Sequence, residues 1–277
     1  MSDNQPAFSN AFAPGTLRTV PLVEPIDNIT QDWACGGSTG RGIKVAIVDS
    51  GLDASHPALR GRVQGYVGIT EGPDGFVYDT SPHDDAYGHG TACAGIIRSL
   101  APDCELYSVK VLGATLAGRG SVFAAGLLWA INNGMHVCNI SMGTTRREMS
   151  AGLHDLADLA YFRNVMLVVA ANNLPVPSYP SVYAAVISVA AHQLQDPRVV
   201  YYNPAPPVEF GAAGIDVRVA WQGGGWITAT GNSFAAPHVT GIVAQIMAKR
   251  PGLTPFQIKH ILRALAANVR RAEPARR

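Results

Sequence analysis

Charge is scarce in this chain. Only 15% of its 277 residues are Asp, Glu, Lys or Arg, and the formal net charge is +1. A balance so close to neutral excludes the basic footprint of a nucleic-acid or anionic-membrane binder. Cysteine is scarce too, and Cys35, Cys93, Cys104 and Cys138 show neither CxxC spacing nor the density of a disulfide scaffold. Cys93 and Cys138 lie in apolar stretches and are expected as small core residues. No apolar run is long enough to span a bilayer, and residues 1–20 lack the basic and apolar regions of a secretory leader. These absences predict reduced thiols, a cytoplasmic location, and no membrane or nucleic-acid partner.

Apolar residues are plentiful instead. At 47% they suffice for a large buried core, and the length suits one large α/β domain. Lys44 to Asp49 is a short β-branched apolar run, expected as a strand buried on both faces. Further strands are expected at Glu105–Leu112, Val137–Ser141, Val165–Ala171, Ala185–Ala191 and Val217–Trp221. Helices are expected at Ile29–Trp33, His89–Ser99, Ser121–Asn133 (capped by Ser121), Arg146–Arg163 and Ser233–Lys249. A last helix follows Pro251-Gly252, with Thr254 as cap and Pro255 at its first position. Gly61 to Gly88 is turn-rich and acidic and predicts a loop holding at most one hairpin. This alternation implies a mostly parallel sheet with helices on both faces. There is no internal repeat. Residues 1–28 form an irregular arm, 29–269 the domain, and 270–277 a basic tail.

In such a sheet, reactive groups gather at the carboxyl ends of strands. Asp49 ends the first buried strand, His89 opens a helix in Gly88-His-Gly-Thr91, and Ser233 opens another in Gly231-Asn-Ser-Phe. Each has a plainer use. Asp49 can cap a turn, His89 can be a loop residue or ligate a metal with His83, Asp84 and Asp85, and Ser233 can cap its helix. Together they have the composition of a nucleophile, a base and an orienting carboxylate. The order Asp, His, Ser differs from that of an α/β-hydrolase, and Gly231-Asn-Ser233-Phe-Ala235 fails G-x-S-x-G. A dinucleotide-binding oxidoreductase is excluded because G-x-G-x-x-G is missing after the first strand.

At these three motifs the chain resembles the subtilisin-like serine proteases, or subtilases. Val45-Ala-Ile-Val-Asp49-Ser-Gly51 is similar to the family's aspartate motif, Gly88-His89-Gly-Thr91 to its histidine motif, and Gly231-Asn-Ser233-Phe-Ala-Ala-Pro237-His-Val to its serine motif. The resemblance spans about Trp33 to Val269. It implies a subtilisin-like three-layer α/β fold and a serine endopeptidase with Asp49, His89 and Ser233 as triad. It implies an oxyanion donor at Asn173, although Asn172 stands where the family usually has Gly. It also implies an extended peptide substrate held between Ser141, Met142, Gly143 and Leu116, Ala117, Gly118. A non-catalytic peptide-binding homologue is the alternative reading.

Departures from the family pattern refine these expectations. The connection Ile97 to Cys104 is too short for the usual calcium loop, so neither that metal nor another cofactor is expected. Leu174 stands where an acidic residue is frequent, which predicts an apolar first subsite. Gly120 stands where an aromatic often sits, which predicts a wide fourth subsite bounded by Phe123. The missing leader, calcium loop and disulfides together suggest an intracellular protease dedicated to maturing a precursor peptide.

Overall fold

The computed structural model describes residues 28–269 apart from Pro206. The expected arm and basic tail therefore lie outside the described residues, Asn28 excepted. After a short helix α1 (Gln31–Cys35), the buried run forms β1 (Lys44–Asp49). Its side chains divide by alternation. Val45 and Ile47 join one core, and Ala46 and Val48 join the core on the opposite face. Two-faced burial explains why the strand is a continuous apolar run rather than an alternating one.

The chain then forms β2 (Val63–Gly72), β3 (Gly75–Asp79), α2 (His89–Leu100), β4 (Glu105–Lys110), α3 (Gly120–Asn132) and β5 (Val137–Ile140). Next come α4 (Ser150–Phe162), β6 (Met166–Ala170), β7 (Ile187–His192), β8 (Tyr201–Tyr202) and β9 (Phe210–Ala213). A separate hairpin of β10 (Val217–Trp221) and β11 (Gly225–Ala229) leads into α5 (Asn232–Lys249) and α6 (Pro255–Leu265). The main sheet has the order β3-β2-β4-β1-β5-β6-β7-β9-β8. Its inner pairs are parallel, and the edge strands β3 and β8 pair antiparallel. Residues of α1, α2, α5 and α6 pack in the core on one face, and those of α3 and α4 in the core on the other. The result is the expected three-layer α/β architecture.

Several local expectations are corrected. Gly61 to Gly88 holds the one expected hairpin, β2 with β3, but more of it is strand than expected, because β2 runs for ten residues and also pairs in parallel with β4. Only Val67 and Ile69 of β2 are buried, so its apolar signal is weak. Gly65 is needed there, since a Cβ would lie 2.8 Å from the Tyr107 ring. The short strands β8 and β9 and the exposed β11 carry no readable periodicity. Ser121 does not cap α3; its Oγ donates to Glu71 Oε2 at 3.0 Å, beside the Arg119–Glu71 ion pair. The expected helix from Arg146 begins as a 3₁₀ turn, Arg147–Met149, before α4. At α6 the expected cap is present: Thr254 Oγ1 accepts from Gln257 N–H, with Pro255 just inside the helix.

Two features of this fold place the site. β1 leads on to β2 toward one edge of the sheet and its neighbour β5 to β6 toward the other, so the crevice at their carboxyl ends is the sheet's switch point. Helices α2 and α5 cross closely beneath it. A Cβ on Gly241 would lie 2.9 Å from Leu100 Cβ, so only glycine permits this approach.

Candidate active site

Asp49 is the last residue of β1 and fully buried. Its two carboxylate oxygens each lie 2.9 Å from His89 Nδ1. Ser50 N–H also donates to Oδ1, at 2.8 Å. His89 is the first residue of α2, after Gly88 at φ 111°. That backbone favours glycine, and a Cβ on Gly88 would also run into the Trp221 indole at 2.8 Å. Gly90 meets a stricter limit, because its Cβ would collide with the Gly51 carbonyl oxygen. The Gly-His-Gly sequence is therefore what lets the imidazole sit against the end of β1. Burial pushes the His89 pKa down, but the Asp49 charge and hydrogen bond push it up, and the net shift is above 6.5.

A third carboxylate holds this arrangement from behind. Asp85, 6% exposed, accepts from Tyr87 N–H, Gly88 N–H and Ser50 Oγ at Oδ1, and from Thr91 N–H and Oγ1 at Oδ2. These five donors tie the histidine loop to the first turn of α2 and to the residue after Asp49. In sequence Asp85 is a candidate metal ligand alongside His89, His83 and Asp84. His83 Nε2 instead pairs with Ser108 Oγ at 2.9 Å. The spacing Asp-x-x-Gly-His is the sequence signal that would have singled Asp85 out.

Ser233 is the second residue of α5 and its hydroxyl does not cap the helix, whose cap residue is Gly231. Its N–H is one of the first-turn donors without an intrahelical acceptor. Pro237 lies four residues on and has no N–H, so the Ser233 carbonyl also lacks its helical donor. Ser141 Oγ donates to that carbonyl at 2.9 Å, and Cys93 Sγ at 3.5 Å. Asn139 Nδ2 in turn donates to Ser141 Oγ, and Thr240 Oγ1 to Asn139 Oδ1. The start of α5 is thus pinned from below to β5.

The side-chain amide of Asn173 stands beside this turn. Asn232 N–H donates to Asn173 Oδ1 at 2.9 Å, which assigns the amide and leaves Nδ2 as the donor. A Cβ on Gly231 would lie 3.3 Å from Ser233 Oγ and 3.6 Å from Asn173 Nδ2, so both groups border one small space. Asn172 is turned to a different task, its Oδ1 accepting from Leu174 N–H. Asn232, overlooked in the sequence, braces both segments. Its Nδ2 donates to the carbonyls of Ala171 and Asn172, and its Oδ1 accepts from Ala191 N–H.

A cavity of about 220 Å³ opens beside Ser233, lined by Ser141, Met142, Gly143, Asn173 and Ser178 among others, without a charged side chain. The expected substrate residues Ser141 to Gly143 thus lie at the nucleophile. Leu174 does not line this cavity; it is 68% exposed and borders a neighbouring one. Leu116, Ala117 and Gly118 also stand outside it, folded on the end of β4 with Ala117 O accepting from Gly113 N–H. At the expected fourth subsite Phe123 is buried in the core, and a Cβ on Gly120 would lie 3.0 Å from Met149 Cε.

Among the described residues, one group of metal-ligating side chains comes together, Asp49, His89 and Cys93, with ligand atoms within 4.8 Å. Burial raises the Cys93 pKa well above 9.0, and the thiol is engaged as a donor to Ser141 Oγ and Ser233 O. The group is therefore built for hydrogen bonding rather than thiolate coordination. All four cysteines are free and buried.

A parallel α/β sheet carrying a buried carboxylate–imidazole pair and a helix-start serine at its switch point defines a hydrolase-type site. Residues 40–277 match the profile of the Subtilase family, and the chain belongs to that family of subtilisin-like serine proteases. It is 36% identical over 244 residues to Subtilisin Savinase of Lederbergia lenta, covering 84% of this chain and 86% of that protein. It is 36% identical to M-protease of Shouchella clausii over 84% of this chain, but spans only 61% of that protein's length. Among solved structures it resembles a cold adapted subtilisin-like serine proteinase, with a TM-score of 0.70 and 26% identity over 82% of this chain and 83% of the other. No helix among the described residues is long and apolar enough to cross a membrane.

Proposed function

We propose that this chain is a serine endopeptidase acting through Asp49, His89 and Ser233. The observation that carries the reading is the buried Asp49–His89 contact, 2.9 Å at both carboxylate oxygens, at the same sheet edge as Ser233. Asp49 fixes the tautomer with the proton on Nδ1 and leaves Nε2 basic. His89 takes the Ser233 proton as Oγ attacks the peptide carbonyl, then delivers it to the leaving amine. Water, activated the same way in reverse, releases the acyl group. The Ser233 N–H and Asn173 Nδ2 hold the oxyanion, since neither donor has a competing acceptor among the described residues. The substrate is an extended peptide whose first-subsite side chain enters the uncharged cavity beside Ser233, favouring apolar residues there.

Asn173→Leu keeps the volume and removes the donor. It is expected to lower kcat by about 10²–10³ with KM little changed, a magnitude that comes from subtilisin itself. A rise in KM with kcat unchanged would move Asn173 from oxyanion donor to ground-state contact.

We further propose that no calcium is bound at the connection from α2 to β4. Asp103, its one carboxylate, is paired with Arg41 at 3.3 Å and Arg62 at 3.2 Å, and the Pro102 carbonyl accepts from Arg98. Too few oxygens remain for a site of six to eight ligands. Free, buried thiols support action in a reducing compartment, and the substrate we propose there is a dedicated precursor peptide. Mass spectrometry of new protein termini in cells expressing the wild type against Ser233→Ala tests this reading. A single dominant intracellular precursor is expected, and broad digestion of unrelated proteins would overturn the dedicated role.

A further inference from the structure

Behind the nucleophile, a chain of buried polar groups runs from α5 to β5 and back. Asn139 and Thr240 are both fully buried, and neither lines the cavity at Ser233. The direction of each bond follows from what each group can donate. Thr240 Oγ1 lies 2.9 Å from Asn139 Oδ1 and 3.1 Å from the Ala236 carbonyl. That carbonyl already has the Thr240 N–H as its helical donor, so the hydroxyl proton goes to Asn139 Oδ1. This fixes the amide with Nδ2 toward Ser141, to whose Oγ it donates at 3.0 Å. Nδ2 cannot accept, so Ser141 turns its own proton the other way, to the Ser233 carbonyl at 2.9 Å. Pro237 is the reason that carbonyl lacks a helical donor. Cys93 also reaches it, but a thiol at 3.5 Å is a weak donor.

We propose that Thr240 and Asn139 are positioning residues: by setting the direction of the Ser141 hydroxyl, they fix the spacing between the peptide-binding segment and the nucleophile. The proposal rests on the peptidase reading above. Ser141 belongs to the segment that holds the peptide, and its hydroxyl bonds directly to the residue that attacks that peptide. The bond therefore couples the place of the scissile carbonyl to the place of Ser233 Oγ, a distance that attack needs held closely. Without the Thr240 hydroxyl, Asn139 Oδ1 is left buried and unpaired, a cost that turning the amide relieves. The turned amide takes the Ser141 proton on Oδ1, and the Ser233 carbonyl loses its stronger donor.

Thr240→Val, which keeps the shape and removes the hydroxyl, tests this. Two rates are compared. Hydrolysis of a succinylated tetrapeptide p-nitroanilide ending in Phe needs the peptide segment, whereas labelling by a fluorophosphonate needs only the triad and the oxyanion donors. The variant is expected to lower kcat for the peptide about tenfold, with KM and the labelling rate changed less than about twofold. Thr240→Ser restores the donor and is expected to recover kcat. Ser141→Ala, at a partly exposed position, deletes the last bond of the chain. It is expected to show the same loss of peptide turnover relative to labelling, even if Thr240→Val fails to fold. Equal losses in both rates would show damage to the triad or the fold, and unchanged peptide turnover would show no coupling; either overturns the proposal. Absence of labelling in the wild type would instead overturn the peptidase reading, and this proposal with it.

Discussion

Ser233→Ala is expected to abolish turnover and labelling by a fluorophosphonate probe while leaving the fold intact. The hydroxyl contributes nothing to capping α5, whose cap is Gly231, and the Ser233 carbonyl keeps its donors Ser141 and Cys93. Its removal therefore costs chemistry rather than stability. The loss should be on the order of 10⁶ in kcat, a figure measured in subtilisin and carried over with the family. Thermal unfolding should shift by no more than a degree or two, within the usual range for a conservative change. Labelling of the wild type together with its loss in the variant supports the enzyme. Absence of labelling in both would favour a peptide-binding homologue without turnover.

Asp49→Asn is expected to lower kcat by about 10⁴, because the carboxamide no longer enforces a proton on His89 Nδ1. Both Asp49 oxygens now accept from that nitrogen, whereas an Asn can turn its NH₂ toward it and reverse the tautomer. The pH profile distinguishes this from a mere packing defect. His89 works as a base only when neutral, and its pKa lies above 6.5 although burial opposes the shift. The acid limb of kcat/KM in the wild type should therefore have its midpoint above pH 6.5, with activity rising toward alkaline pH. Removing the Asp49 charge leaves burial as the main influence, and the limb should move to lower pH. A midpoint that stays in place would show that Asp49 is not the source of the shift.

The same shift acts on stability with the opposite trend. A histidine whose pKa is raised by folding stabilises the native state fully below its unfolded value. That contribution is lost as pH rises through the folded value. The charged His89–Asp49 pair therefore supports the fold on the acidic side, where the enzyme is inactive. It contributes least at alkaline pH, where the neutral imidazole does chemistry.

Much of this molecule was determined by local sequence. β1 is legible because burial on both faces demands a continuous β-branched run, and α6 because its cap, proline and amphipathic spacing lie within a few residues of one another. Asp49 and His89 were legible because each stands at an element end beside glycines that close packing requires, and Ser233 because it opens a long helix just after Gly231. Tertiary structure alone decided what holds them. Asp85 reaches Ser50 across 35 positions, Asn232 reaches Ala171 and Asn172 across about 60, and Ser141 supports the Ser233 carbonyl across 92. Polar loop residues of this kind have no periodicity, and their partners are chosen by the crossing of strands and helices. The place of β2 in the main sheet was not legible for a related reason, since a strand in which only Val67 and Ile69 are buried is positioned by pairing with β4. The cavity that Leu174 borders belongs to the same class. Its valines and prolines come from separate segments that only the closed sheet brings around one space.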